Sequence, residues 1–183
     1  MEHPSESLKN LENLQVALPD MLEARERRVR IQEQLLAARG LPLISFTMNI
    51  PGPIKLLPHV EAAFEDGLKA VEQALSARKI PLACRETVRE KTGPEAFFCA
   101  AALPETLKEI AVEIEDRDAV GRLYDLDVIR PDGSKVSRED LSLPVRKCLL
   151  CGEPAHACAR SRRHSVEELT KEIGRILEER YGT

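Results

Sequence analysis

The segment AVGRLYDLDVIRPDGSK, residues 119–135, combines the pattern of a β-strand with two carboxylates. Its apolar residues alternate as in a strand, and RPDGSK is typical of a turn. Side chains of a strand alternate between its two faces, so the strand is predicted to present one apolar face to the core: Tyr124, Leu126 and Val128. Asp125 and Asp127 then share the opposite face.

Two carboxylates at this spacing can act together on a cation. Their Cα atoms are about 7 Å apart along a strand, and their side chains can converge on one ion. Magnesium prefers one or two carboxylates, completed by water and phosphate oxygens. Asp125 and Asp127 are therefore candidate Mg²⁺ ligands of a phosphoryl or nucleotidyl transferase, with Arg122 bracing the phosphates. The alternative is a solvent-facing strand that its charges protect from aggregation.

The preceding segment also alternates, with Ile110, Val112 and Ile114 on one side, and predicts a further strand over 110–116. A hairpin of this strand with 123–129 would place Glu113 opposite Asp125. A third carboxylate, Glu113 or Glu115, would allow two metal ions about 3.5–4 Å apart.

The remaining pattern predicts an α+β fold, a largely antiparallel sheet with helices packed on it. Apolar residues recur at helical spacing in three segments: 20–39, 60–78 and from 165 onward. Strands are predicted in four further segments: 44–50, 81–90, 95–102 and 135–138. The chain, 1–183, is predicted to be one domain, with a Cys-rich basic segment and a C-terminal helix at 142–183.

The composition favours a water-soluble, cytoplasmic protein. No apolar run reaches the roughly 18–20 residues of a membrane span, and the N-terminus lacks a signal-peptide pattern. A net charge of −4 and only 3% aromatic residues argue against nucleic acid as a partner.

Residues 148–164 contain the spacing Cys-x2-Cys-x6-Cys-x5-His, formed by Cys148, Cys151, Cys158 and His164. Three thiolates and one imidazole suit a closed, structural Zn²⁺ site. The simpler interpretation is that the thiols are buried behind a helix. The segment is also basic, which suits a polyanionic ligand or an acidic carrier protein. A non-catalytic zinc-knuckle adaptor is therefore the alternative to an enzyme.

Four segments together resemble a known family: PLISFTMNIPGPIK (42–55), GPE (93–95), VGRLYDLDVIRPDG (120–133) and LPVRKCLLCGEPAHACARSRRH (143–164). The family is the citrate lyase holo-acyl-carrier-protein synthases, or apo-citrate lyase phosphoribosyl-dephospho-CoA transferases. Membership implies transfer of the phosphoribosyl-dephospho-CoA group from 2′-(5″-triphosphoribosyl)-3′-dephospho-CoA to a serine of the citrate lyase acyl carrier protein (γ) subunit, with release of pyrophosphate. An equivalent enzyme for a malonate decarboxylase carrier protein is the alternative within this chemistry.

DLDV also resembles the Asp-apolar-Asp-apolar element of the nucleotidyltransferase superfamily, which implies a nucleotidyltransferase-like fold and Mg²⁺ on Asp125 and Asp127. The Gly-Ser pair that this superfamily usually carries upstream is missing here. Contacts to the phosphates are therefore expected from other residues near the strand and in the PGPIK loop: Gly121, Arg122, Gly52, Lys55 and Arg146.

Overall fold

The computed structural model describes residues 14–182, which contain one five-stranded antiparallel sheet. Its strands are β1 (Leu43–Met48), β2 (Leu82–Glu90), β3 (Gly93–Ala100), β4 (Tyr124–Ile129) and β5 (Lys135–Val136). The spatial order is β2-β3-β1-β4-β5. The predicted α+β architecture is confirmed, and β1 lies at the centre of the sheet.

The described residues also form five complete α-helices: α1 (Leu18–Arg39), α2 (Val60–Ala77), α3 (Pro104–Asp116), α4 (Ala155–Ser161) and α5 (Val166–Tyr181). The three predicted helices, α1, α2 and α5, are confirmed. Gly40 ends α1 in the left-handed conformation, and Ser165 begins α5 with a capping box that includes Glu168. Within residues 14–182, no helix combines the length and the apolar character needed to cross a membrane.

The prediction of a strand over 110–116 is wrong, because these residues belong to helix α3. The buried side chains of α3 include Leu107, Ile110, Ala111 and Ile114. Their spacing of three and four residues is that of a helix face. The alternation of Ile110, Val112 and Ile114 resembles a strand pattern and led to the wrong prediction. The hairpin that placed Glu113 opposite Asp125 therefore does not exist. The Glu113 carboxylate is exposed and forms an ion pair of 2.6 Å with Arg78.

Helices cover the two faces of the sheet unequally. The larger core unites one sheet face with α2, α3 and α5, and it includes Phe46, Phe64 and Tyr124. On the opposite face, Leu35 and Leu36 of α1 pack against four residues of β1, β3 and β4: Leu43, Phe97, Cys99 and Ile129. Beyond this small apolar cluster, the α1 face of the sheet carries polar side chains.

Candidate active site

Three of the carboxylates on the polar face of the sheet lie on β3 and β4, the two strands that flank β1. Thr47 of β1 lies opposite Glu95 of β3 on one side and opposite Asp125 of β4 on the other. Directly opposed residues of an antiparallel sheet project from the same face. Asp127 follows two residues after Asp125 and lies opposite Ser45. The predicted common face of Asp125 and Asp127 is confirmed, and Glu95 is a third carboxylate on it.

Each of these carboxylates has a cationic neighbour. Arg28 of α1 donates to Glu95 at 2.6 Å, and Lys135 donates to Asp127 at 2.6 Å. An Arg146 nitrogen lies 3.7 Å from Asp125. The negative charges are therefore partly balanced by flexible side chains, of which Lys135 is the most exposed.

The surroundings of Asp125 favour its neutral form. Burial by the surrounding protein raises its pKa, and the charge of Asp127 raises it further, whereas Arg146 opposes both effects. About half of the Asp125 side chain is still accessible to solvent. A cation that approached from this open side would offset the repulsion from Asp127, which is the second cause of the raised pKa after burial.

Beside the aspartates, the backbone hydrogen-bonding groups at the edge of β4 pair with side chains of α3 and not with another strand. β5 pairs with β4 only at Val128 and Ile129. At Leu126, between the two aspartates, the backbone N–H donates to Glu115 at 2.8 Å, and the carbonyl accepts from Lys108 at 3.1 Å. These buried side chains replace a neighbouring strand and fix the backbone from which Asp125 and Asp127 project.

Glu115 therefore has a structural position. One of its oxygens accepts from Leu126, and the other accepts from Arg138 at 2.6 Å. Arg146 approaches within 3.6 Å, and the Glu115 side chain is only 4% exposed. Both carboxylate oxygens have partners inside the protein, so Glu115 is poorly placed to bind an additional metal ion.

A cavity of about 670 Å³ lies between the residues that follow β1, the residues just before β4, the Cys-rich segment and α5, and none of the three carboxylates lines it. Its walls combine apolar side chains with four basic residues: Arg122, Arg146, Lys147 and Arg162. Arg146 lines the cavity and also lies 3.7 Å from Asp125. The cavity is thus adjacent to the carboxylate face, and Arg146 connects the two.

Arg122 and Arg146 both line this cavity, but each already donates to backbone carbonyls of the protein. Arg146 donates to the carbonyls of Arg122 and Tyr124, each at 2.7 Å. The Arg122 guanidinium donates to the Lys147 carbonyl. Its Nε atom is buried and has no hydrogen-bond partner within the described part of the chain, so Arg122 retains capacity for an anion.

Three other residues were predicted to contact phosphate, and each has a role in the fold that accounts for its presence: Gly121, Gly52 and Lys55. A side chain at Gly121 would place its Cβ 2.3 Å from the Ile114 carbonyl oxygen, so glycine is needed for contact with α3. Gly52 has a φ of 80° and packs against Val166 of α5. Lys55 donates to the Ile50 carbonyl at 2.6 Å. Burial, followed by the charge of Arg25, lowers the Lys55 pKa.

The four predicted zinc ligands converge. Their ligand atoms all lie within 4.8 Å of one another. Cys148 and Cys158 are buried, whereas Cys151 is exposed. Burial acts to raise the pKa of Cys148, but hydrogen bonds from the backbone of Leu150 and Cys151 outweigh it, and the pKa is lowered.

Glu95 was not predicted from the sequence as a site residue. The residue begins a predicted strand. It lies two positions before Phe97, so the two side chains project from the same face of the strand. The pairing of β1 with both β3 and β4, which brings Glu95 and Asp125 together, was not predicted. Glu95 is only 1% exposed, and its Oε2 atom has no hydrogen-bond partner among residues 14–182.

Comparison with known proteins assigns this chain to one family. Residues 16–180 match the sequence profile of the family described as apo-citrate lyase phosphoribosyl-dephospho-CoA transferase. A relative from Vibrio cholerae serotype O1 (strain M66-2), named probable apo-citrate lyase phosphoribosyl-dephospho-CoA transferase, is 42% identical over 88% of this chain and 91% of its own length. A relative from Escherichia coli O7:K1, named apo-citrate lyase phosphoribosyl-dephospho-CoA transferase, is 34% identical over 88% of both chains. The chain belongs to the apo-citrate lyase phosphoribosyl-dephospho-CoA transferase family.

Proposed function

We propose that this protein transfers the phosphoribosyl-dephospho-CoA group from 2′-(5″-triphosphoribosyl)-3′-dephospho-CoA to a serine of the citrate lyase acyl carrier protein (γ) subunit. The serine oxygen attacks the α-phosphorus, a new phosphorus–oxygen bond forms, and the bond to pyrophosphate breaks. The serine proton passes to solvent or to a base. The names of the relatives support this citrate lyase reaction over the zinc-knuckle adaptor and the malonate decarboxylase alternative.

The observation that carries the mechanism is the Asp125–Asp127 pair beside a cavity with basic walls. Attack on a triphosphate builds negative charge on its oxygens, and fixed positive charge at that point lowers the barrier. Arg122 and Arg146 line the cavity and would contact phosphate oxygens there, and the cavity has a volume typical of a small-molecule site. The apolar wall beside them suits the organic part of the donor.

The carboxylates fit a magnesium site. Oxygen ligands on a strand face that is open to solvent match the preference of Mg²⁺. When bound, Mg²⁺ would neutralise phosphate oxygens and steady the leaving pyrophosphate. Asp125 and Asp127 would hold it, with the Lys135 side chain moving away from Asp127. This is nucleotidyl transfer, which also motivates the proposal of a nucleotidyltransferase-like fold.

Glu95 is the preferred third carboxylate, in place of Glu113. It lies on the same face as Asp125, one strand beyond β1, at a Cα separation of roughly 10 Å. Two ions about 3.5–4 Å apart, each with ligands about 2.1 Å away, can bridge such a gap. Its unpartnered Oε2 atom is available for this role, while Arg28 orients the other oxygen.

The test incubates the protein with apo-acyl-carrier protein of citrate lyase, the triphosphoribosyl donor and Mg²⁺. Wild-type protein is expected to increase the carrier mass by one phosphoribosyl-dephospho-CoA group and to release one pyrophosphate per transfer. The proposal fails if neither product appears with the citrate lyase carrier. Modification of a malonate decarboxylase carrier alone would reassign the acceptor.

Matched carboxamide variants test the site separately from the reaction. Asp125→Asn, Asp127→Asn and Glu95→Gln are expected to lower the transfer rate by about 100-fold or more, and added Mg²⁺ should only partly restore it. Glu113→Gln is the control, because its exposed carboxylate pairs with Arg78, and it should keep wild-type activity. Loss of activity in Glu113→Gln with full activity in Glu95→Gln would reverse the assignment of the third ligand.

A further inference from the structure

We propose that Cys148, Cys151, Cys158 and His164 bind one Zn²⁺ ion in a closed structural site. Their ligand atoms lie within 4.8 Å of one another, and the sulfurs of Cys151 and Cys158 are 3.4 Å apart. A tetrahedral site with Zn–S bonds of about 2.3 Å requires sulfurs separated by about 3.8 Å. Small side-chain movements would therefore bring all four groups to bonding distance of one ion.

The backbone around Cys148 has the form of a metal knuckle. Cys148 and Cys151 are separated by two residues, which is the spacing of a zinc knuckle. The chain then turns at Gly152, whose φ is 72°, and the Cys148 N–H donates to the Glu153 carbonyl at 2.6 Å.

His164 supplies an independent observation. Its Nε2 atom is buried and has no hydrogen-bond partner in the described part of the chain. A buried ring nitrogen normally has a partner, because desolvation without a hydrogen bond is unfavourable. A zinc ion among the three sulfurs would provide that partner. Burial of thiols alone explains neither this nitrogen nor the presence of the exposed Cys151 in the cluster.

The segment around the cluster has few other means of staying folded. Helix α4 is only 7 residues long, which is too short to be stable alone. The nearby apolar side chains Val145 and Leu150 are 42% and 37% exposed, Leu149 is partly buried against the main core, and the fully buried side chains are Cys148 and Cys158. Small units with a weak apolar core commonly depend on a metal ion.

The ion would stabilise one wall of the cavity. Cys148, Cys158 and His164 line that cavity together with Arg146. The knuckle is anchored to Arg146, whose carbonyl accepts from Ala155 at 2.8 Å. Four protein ligands leave no coordination position open, so this zinc ion would support the fold and would not bind substrate. The inference depends on the cluster alone and does not require the proposed transferase reaction.

The first test is the metal content of tag-free protein after dialysis against a weak chelator. Wild-type protein and the control variant Cys84→Ala, whose thiol lies on β2 outside the cluster, should each retain about one zinc ion per chain. Cys158→Ala should lose most of it. Asp127→Asn should keep its zinc while losing transferase activity, which separates the two proposals.

Reconstitution tests the site even if Cys158→Ala does not fold. Wild-type protein stripped of metal is titrated with Co²⁺ and then with Zn²⁺. The expected result is a tetrahedral, thiolate-bound Co²⁺ spectrum that one equivalent of Zn²⁺ abolishes. The proposal is overturned if stripped wild-type protein binds neither ion stoichiometrically, or if Cys158→Ala retains as much zinc as Cys84→Ala.

Discussion

Glu115 is predicted to be a determinant of stability because it supports the strand that carries both aspartates. It connects the Leu126 backbone N–H to Arg138, and its side chain is 4% exposed. Glu115→Leu would leave a buried N–H without an acceptor and remove one buried partner of Arg138. Loss of one member of a buried ion pair typically costs about 3–5 kcal/mol, and we expect a decrease in the free energy of unfolding within this range.

Glu115→Gln separates hydrogen bonding from charge. The amide oxygen can still accept from Leu126, and Arg138 keeps its contacts with Asp116 at 2.9 and 3.1 Å. We therefore expect a smaller loss, about 1–2 kcal/mol. The control is Glu113→Leu, two residues earlier on the same helix, whose exposed ion pair with Arg78 should contribute less than about 1 kcal/mol.

Urea unfolding at neutral pH, followed by circular dichroism, measures all three variants against the wild type. The reasoning is refuted if Glu115→Leu costs less than about 1 kcal/mol, or no more than Glu113→Leu. A third outcome is equally informative. If Glu115→Gln has wild-type stability but needs far more Mg²⁺ for transfer, Glu115 acts as a metal ligand and its structural role is wrong.

Three further predictions concern the residues around β4. Burial acts to raise the pKa of Asp118, but hydrogen bonds such as that from the Gly121 N–H, 2.7 Å away, lower it below its usual range. Its contribution to stability is present above the unfolded pKa of about 3.9 and disappears as the pH falls through the lower folded value. The urea midpoint of Asp118→Asn should thus lie below that of the wild type at pH 7, and the gap should shrink in acid; an unchanged gap would contradict this reasoning. Gly121→Ala should lose about 1–3 kcal/mol in the same assay, since its Cβ would meet the Ile114 carbonyl at 2.3 Å, and wild-type stability would contradict the close approach. Tyr124→Phe removes a buried hydrogen bond of 2.9 Å to the Ala63 carbonyl and should cost about 1 kcal/mol. Its transfer rate should be unchanged because the ring lies on the core face; a large loss of rate would place the hydroxyl in the reaction.

Local patterns in the sequence were sufficient for most of the elements. The alternation that assigns Tyr124 and Leu126 to one face and Asp125 and Asp127 to the other depends only on the geometry of a strand, so it survives any tertiary context. The helices α1, α2 and α5 follow similarly from helical spacing.

The same reasoning failed for α3, because Ile110, Val112 and Ile114 satisfy a strand pattern while Leu107, Ile110, Ala111 and Ile114 satisfy a helical one. Pro104 at the first turn was the available signal for the helix. Local propensity differs little between these alternatives. Packing of the helix face against the core decided between them.

The sequence by itself determined the face shared by Asp125 and Asp127, the spacing of the Cys-His cluster and the motifs of the family. Only the tertiary structure decided which groups join them. Glu95 reaches the aspartates through β1, which pairs with both β3 and β4, and Glu115 reaches Leu126 from a helix. These contacts join residues at least 11 positions apart in the chain, and no periodicity in a single segment encodes them. They exist because buried backbone groups and charges must find partners, and the packed fold is what provides those partners.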